Sequence, residues 1–341
     1  MLLWGKEYTR RELESLTGDL RQIADIELSN RADGPEAGVR QALVRTGGGL
    51  EFPVILDRGL DLGHATYKGI PLTWYSPAGV THPHRFELQG AGWLRTFPGG
   101  LLSLCGLTNV GPATSDRFTG EEVGLHGRAS SLQARQVSTE SLWRGEEWTL
   151  QLKGTVQDAA LFRHRLSLRR TLEIVPGVPG FKLTDRIRNF GSVPAPLMLL
   201  YHCNFGWPFV GPQTRFVSPA ADVVPRDEAA APGLGRWREF SAPQPGFREQ
   251  VFFHRLPRQR QVTATVENPE LRIAVDLKFD TSQLDHLTQW KQSGAGDYVL
   301  GIEPGNCPPV GQEEAEAQGE LPLLPAGEER SFSLEILCRD L

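Results

Sequence analysis

The chain has 341 residues, a formal net charge of −5 and 9% aromatic side chains. That length is enough to bury a large core, and all-β sandwiches run past about 200 residues as one unit. The charge lacks the basic excess of a nucleic-acid binder and the apolar content is too high for a disordered chain, so the expected partner is a small molecule, with neither nucleic acid nor membrane involved.

Residues 1–38 read as an N-terminal extension carrying a short helix and packed on the main domain. Thr9 and Glu12 have capping-box spacing at the start of a polar stretch that predicts two or three turns over residues 9–18. Lys6 breaks the apolar opening, and no later run reaches the ~18 apolar residues that span a bilayer. Cys105, Cys203, Cys307 and Cys338 lie far apart without C-x-x-C spacing, which favours reduced thiols over a disulfide framework or structural zinc. A soluble cytoplasmic protein is expected, and composition leaves a homo-oligomer open.

Residues 39–341 are expected to form a single domain. QALVRT, the turn Gly47 to Gly49 and LEFPVILD predict a hairpin, and Gly59, Gly63 and Gly69 punctuate the short pieces that follow. Residues 77–125 are irregular and rich in Gly, Pro and aromatics, a composition more often functional than accidental in a compact domain. His82-x-His84 has chelate spacing, but beside Pro83 in a loop it reads as solvated.

The clearest alternation runs from Trp148 to Ile187 and predicts three antiparallel strands, joined by turns at Gln157-Asp158 and at Pro176 to Gly180. Leu197 to Leu200 need cover on both sides and predict a buried strand, at whose far end His202 and Asn204 share one face. The Pro/Gly-rich residues 208–250, with DEAAAPGLG, predict an exposed excursion. Alternation then returns at Val262 to Val266, Leu271 to Phe279 and Phe332 to Cys338. Many strands and one short helix predict an all-β, mainly antiparallel, large two-sheet sandwich with a ligand groove on one face.

Three short stretches place ionisable groups among glycines and apolar residues: GLHGRAS with His126 and Arg128, LLYHCNFGW with His202, and YVLGIEPGNCP with Glu303 and Asn306. Glu303 follows an apolar strand and precedes Pro304, which holds its backbone extended and places the carboxylate at a strand end. Arg58 and Arg128 are candidates for orienting hydroxyls or an anionic group through their planar forks. Asn204, Gln289 and Lys291 are further binding candidates, the last two sharing one face of TQWKQ. Trp93 and Trp207 are candidates for stacking on a ring.

HGRAS, YHCNFGW and GIEPGN, in that order with β-rich sequence between them, resemble the aldose 1-epimerase (galactose mutarotase-like) superfamily and its DUF4432 branch. The resemblance covers most of the chain from about Trp4 onward. It implies a supersandwich that binds a sugar in an open groove and interconverts α and β anomers of an aldose, without metal or organic cofactor. It further implies that His202 is the general acid on the ring oxygen and Glu303 the general base on the anomeric hydroxyl, with His126 contacting the sugar. The G-R-x-A-N-R-I motif of galactose mutarotases is absent, leaving Arg58 in LDRGLDLG as the stand-in for its arginine. No counterpart of the aspartate that grips sugar hydroxyls is found.

The chemistry fits these residue types independently, since anomer exchange needs one proton removed at the C1 hydroxyl and one delivered to the ring oxygen. A Glu/His pair held as carboxylate and imidazolium would serve near neutral pH, each charge favouring the other. Two alternatives stay open: a metal-dependent sugar isomerase with His126, His202 and Glu303 as ligands, and a non-catalytic carbohydrate-binding protein.

Overall fold

The computed structural model describes residues 1–87, 89–258 and 260–341. The principal strands in chain order are β1 (Asp25–Asn30), β2 (Arg40–Arg45), β3 (Leu50–Ile55), β4 (Ser103–Leu107), β5 (Arg135–Arg144), β6 (Glu147–Ala159), β7 (Arg165–Ile174), β8 (Gly180–Asn189) and β9 (Met198–Gly206). They continue with β10 (Arg215–Val217), β11 (Asp222–Pro225), β12 (Gln250–Arg255), β13 (Gln261–Asn268), β14 (Ile273–Asp280), β15 (His286–Ser293), β16 (Tyr298–Gly305) and β17 (Glu329–Asp340). Two short α-helices are present among the described residues, α1 (Arg10–Leu16) and α2 (Gln312–Ala317).

An eight-stranded sheet in the order β5-β6-β7-β8-β17-β14-β13-β10 packs against a six-stranded sheet in the order β11-β12-β15-β16-β9-β4. All the ladders in both are antiparallel. The alternating residues expected to be apolar face inward: Leu166, Leu168, Leu172, Leu183, Ile187, Val275, Leu277, Leu334 and Ile336 share one core with Leu199, Tyr201, Phe205, Leu300 and Ile302 of the second sheet. This is the predicted two-sheet sandwich. A third sheet, β1-β2-β3 continued by Thr66–Tyr67 and Ile70–Pro71, is added at the N-terminal side.

Inside the core, Arg170 of β7 donates to both carboxylate oxygens of Asp185 of β8, at 2.9 and 2.7 Å, and Tyr201 of β9 donates to the same carboxylate at 2.8 Å. Leaving any member of such a buried set without its partner costs about 3–5 kcal/mol. The network therefore ties β9 to the opposite sheet at one register.

Local departures from expectation have physical causes. Thr9 caps α1 and Glu12 reaches back to it, as the spacing predicts. The boundary between residues 38 and 39 passes between two paired strands, because Asp25–Asn30 ladders with Arg40–Arg45, while Leu3, Leu13 and Ile23 lie in the main core. β6 runs through Gln157-Asp158, where a turn was expected, because Gln157 pairs with Ser167, Asp158 pairs with Leu166, and the Asp158 carboxylate accepts from Arg128. The DEAAAPGLG stretch is anchored rather than free: Ala230 is fully buried and starts a 3-10 helix over Ala231–Arg236. No helix among the described residues is long and apolar enough to cross a membrane.

Candidate active site

All nine residues of β9 are buried, so both of its faces are covered. Leu199, Tyr201, Cys203 and Phe205 enter the inter-sheet core, whereas Met198 and Leu200 join a smaller cluster with Trp93, Phe97, Cys105 and Cys307 on the outer side. His202 belongs to this second, even-numbered row. On β16 the same parity sends Leu300 and Ile302 inward and Gly301 and Glu303 outward. The ladder pairs Leu200 with Gly305 and Cys203 with Ile302, which sets His202 across from Glu303. Their side chains meet with Nε2 and Oε1 3.2 Å apart. Glu303 lies within β16 rather than at its end.

Gly301 makes room for this pair. A Cβ there would stand 2.6 Å from Glu303 Oε1 and 3.3 Å from His202 Cε1. Asn306 fastens the end of β16 to the start of β9, accepting from Leu199 N–H at 2.7 Å and donating to Leu197 O at 2.8 Å.

The pair opens onto a cavity of about 550 Å³ walled by Trp93, Phe97, Leu125, Val251 and Trp290, with Arg226 and Glu249 at its edge. His126 reaches it from a tight turn with φ of +57°, followed by Gly127 at +67°. A side chain at 127 would strike Gly106 O at 2.4 Å, so only glycine lets this turn lie against β4. The backbone N–H of His126 donates to Gly111 O at 2.8 Å, and its Nδ1 accepts from Gly111 N–H at 3.3 Å. The hydrogen bond thereby assigns the ring proton of the neutral imidazole to Nε2. The His126 ring lies 4.8 Å from Trp93 and stands nearly perpendicular to His202 at 6.0 Å.

Burial sets the protonation of these groups. With His202 5% exposed and Glu303 3% exposed, desolvation pushes the Glu303 carboxyl up to about 8, helped by the negative Glu249 and opposed by Arg226. Desolvation likewise holds the His202 imidazole down at about 3, with His126 adding to the effect, and His126 at about 4. The resting pair is therefore a neutral acid beside a neutral imidazole, not the carboxylate and imidazolium expected from sequence, because burial penalises both charged forms. The two descriptions hold the same number of protons. Moving one from Glu303 to His202 creates two buried charges, a cost that their mutual attraction at 3.2 Å offsets in part. A polar ligand that hydrogen-bonds the charged forms favours the shift. His202 Nδ1 and Trp93 Nε1 are buried without a hydrogen-bond partner, and the 3.2 Å contact of Glu303 Oε1 with His202 Nε2 is not a hydrogen bond, an arrangement that costs stability unless a ligand satisfies it.

A family model described as a domain of unknown function, DUF4432, matches residues 36–337. The chain belongs to the DUF4432 family. It is similar to the crystal structure of a candidate aldose 1-epimerase from Klebsiella pneumoniae subsp. pneumoniae MGH 78578, at 27% identity and a TM-score of 0.85 over 92% of this chain and 83% of that one. A galactose mutarotase-like protein from Clostridium acetobutylicum shares the fold at 13% identity and a TM-score of 0.64, covering 94% of this chain and 100% of that one. Galactose 1-epimerase from Lactobacillus acidophilus NCFM shares it at 12% identity and 0.60, covering 93% and 99%. No curated protein matches the chain.

In this DUF4432 protein His126, His202 and Glu303 come together, and the other expected binding residues do not. Gln289 pairs in the ladder with Ile302 and so points into the sandwich, where it bonds His254 Nε2 at 3.2 Å and Trp237 O at 2.8 Å. Lys291 shares that inner face and donates to Arg236 O at 3.0 Å. TQWKQ does present one face to the groove, but it is that of Thr288 and Trp290. Arg58 is buried behind the aromatic wall, donating to Thr96 O at 2.7 Å and Thr81 Oγ1 at 3.4 Å. Arg128 is held by Asp158 at 2.8 Å and Glu121 at 3.3 Å, away from the cavity. Asn204 lies on the His202 face, but its amide donates to Gly100 O and His202 O and it does not line the cavity.

Trp93 lines the cavity, whereas Trp207 is 76% exposed outside it. The rings of His82 and His84 lie 4.2 Å apart, tilted by 38°. Among the described residues no group of three or more His, Cys, Asp or Glu is placed to hold a metal ion, the set of the metal-dependent alternative included. Arg226, Glu249 and Trp290 were not foreseen. Arg226 and Glu249 lie within the Pro/Gly-rich residues 208–250, where no periodicity fixes a face, and the side to which Trp290 points follows only from the β15–β16 register.

Proposed function

We propose that this DUF4432 protein is an aldose 1-epimerase, interconverting the α and β anomers of an aldose by opening and reclosing the sugar ring. The observation that carries the proposal is the His202–Glu303 pair, 3.2 Å apart on adjacent strands at the floor of an aromatic-walled groove. His202 Nδ1 is buried without a partner, and Glu303 Oε1, the oxygen that faces His202 Nε2, accepts no hydrogen bond.

A sugar seated against Trp93 or Trp290 meets an acid and a base that exchange a proton with each other. In the opening direction Glu303, as carboxylate, takes the proton of the C1 hydroxyl. The C1–O5 bond breaks as the C1 carbonyl forms, and O5 receives the proton of His202. Rotation about C1–C2 presents the other carbonyl face, and the same transfers in reverse close the other anomer. Protons alone are exchanged, so no electron carrier or metal enters the balance. His126 Nε2–H supplies a donor beside the reacting centre. The likeness to the Klebsiella protein supports this reading, and the four buried, unpaired cysteines support a cytoplasmic setting.

Polarimetry on freshly dissolved aldoses, with wild type, His202→Ala and Glu303→Gln, tests it. Acceleration by wild type and its loss in both folded variants is the expected result. Folded wild-type protein that binds sugar yet accelerates no aldose would replace the epimerase by a binding protein.

A further inference from the structure

The edge of the groove carries a fixed negative charge. Glu249, just before β12, is held by two donors: Trp290 Nε1–H reaches Oε2 at 2.9 Å and Arg226 Nη2 reaches Oε1 at 3.0 Å. Trp290 is itself part of the cavity wall, its ring 5.4 Å from that of His202, so the carboxylate is tied to the surface on which a ligand would lie. The cation beside it is already neutralised, since Arg226 also donates through Nε to Asp227 at 2.8 Å. One guanidinium thus faces two carboxylates.

The three cations expected from sequence to receive an anionic group or hydroxyls are committed elsewhere. Arg58 is tied to Thr96 O, Arg128 to Asp158 and Lys291, on the opposite face of its strand, to Arg236 O. His126 and His202 are kept neutral by burial at physiological pH. Of the charged residues at the cavity edge, Arg226 is paired with Glu249 and, behind the lining, with Asp227, so this three-residue cluster carries a net negative charge and its cation is not free.

We infer that Glu249 is a specificity residue that selects uncharged aldoses and rejects sugar phosphates and uronic acids. Rejection works by like charge: an anionic substituent entering this groove meets a carboxylate that cannot swing away without breaking its bonds to Trp290 and Arg226. A unit negative charge within about 6 Å of Glu249 is disfavoured by about tenfold at an effective dielectric of about 40, and the penalty weakens as salt screens it. The substrate-class assignment rests on the epimerase reading, whereas the binding preference of the groove does not.

The test compares glucose, glucose 6-phosphate and glucuronate with wild type and Glu249→Gln, the latter retaining an oxygen and similar volume. Anomer exchange gives kcat/KM, and ligand-observed NMR gives binding of the same sugars. Wild type is expected to favour glucose over both anionic sugars by at least about tenfold at low salt. Glu249→Gln is expected to narrow that ratio about tenfold through gain on the anionic sugars, and 0.5 M salt, about enough to shrink the Debye length several-fold, is expected to narrow it in wild type. Equal or better use of an anionic sugar by wild type overturns the inference, as does a ratio unchanged in Glu249→Gln. If no sugar is turned over but the binding ratios behave as stated, the epimerase reading fails and the charge selection stands. Absence of binding by all three sugars overturns both.

Discussion

Replacing Gly301 by alanine separates the geometry of the acid–base pair from its chemistry. The added methyl would stand 2.6 Å from Glu303 Oε1, against an ordinary contact of 3.4 Å, so the carboxylate must retreat by about 0.8 Å. It would also stand 3.0 Å from Trp290 Cβ, which is backbone-proximal and yields less readily. Overpacking of this kind costs about 1–3 kcal/mol of stability. Displacing a catalytic group by nearly 1 Å costs about 100-fold in rate. Gly301→Ala is thus expected to fold with a lowered Tm, to keep KM for its sugar within a few-fold and to lose about two orders of magnitude in kcat. Polarimetry and thermal denaturation on the same preparation measure both effects. A folded variant with wild-type kcat would refute the claim that the placement of Glu303 against His202 matters.

Glu303 also ties stability to pH. Its carboxyl is raised from 4.5 to about 8 in the folded chain, so the stability it contributes is fully present below its unfolded pKa and is lost as pH rises through 8. Glu303→Gln is therefore expected to unfold at a higher temperature than wild type at pH 9, with the gap closing towards pH 4; a pH-independent difference in melting curves contradicts this. Asp185→Ala strands Arg170 in the core and is expected to cost about 3–5 kcal/mol in urea denaturation, whereas a loss below about 1 kcal/mol would show the network to be slack. Lys291→Met removes a bond to Arg236 O on the side away from the groove, and KM for sugar is expected to stay within about twofold on that account; a tenfold rise would put Lys291 back among the ligand contacts.

Much of the fold was legible because burial on one face or two leaves a readable pattern. Trp148 to Val156 and Leu166 to Ile174 alternate since one face of β6 and β7 is solvated, and Leu197 to Leu200 form an unbroken apolar run since β9 is covered on both. The shared face of His202 and Asn204 followed from the same two-residue period. What period alone cannot supply is register between strands distant in sequence. It decides that Glu303 faces His202 and that Gln289 faces the core instead, and it is fixed by the β9–β16 and β15–β16 ladders. Arg58 and Arg128 looked like ligand-binding forks because a buried or clustered arginine and a substrate arginine read alike until their partners, Thr96 O and Asp158, are in place. Asp25–Asn30 was missed as a strand because its residues are largely exposed or half-buried and carry no clean alternation.

The central claim is that His202 and Glu303 together move protons on a sugar. Exchange NMR on an aldose labelled at C1 tests it most directly, by measuring α-to-β exchange against protein concentration for wild type, His202→Ala and Glu303→Gln at one pH. The expected result is an exchange rate proportional to wild-type concentration and absent above background in either folded variant. Exchange that persists undiminished in both variants, or is never accelerated by wild type on any aldose bound in the groove, would contradict it.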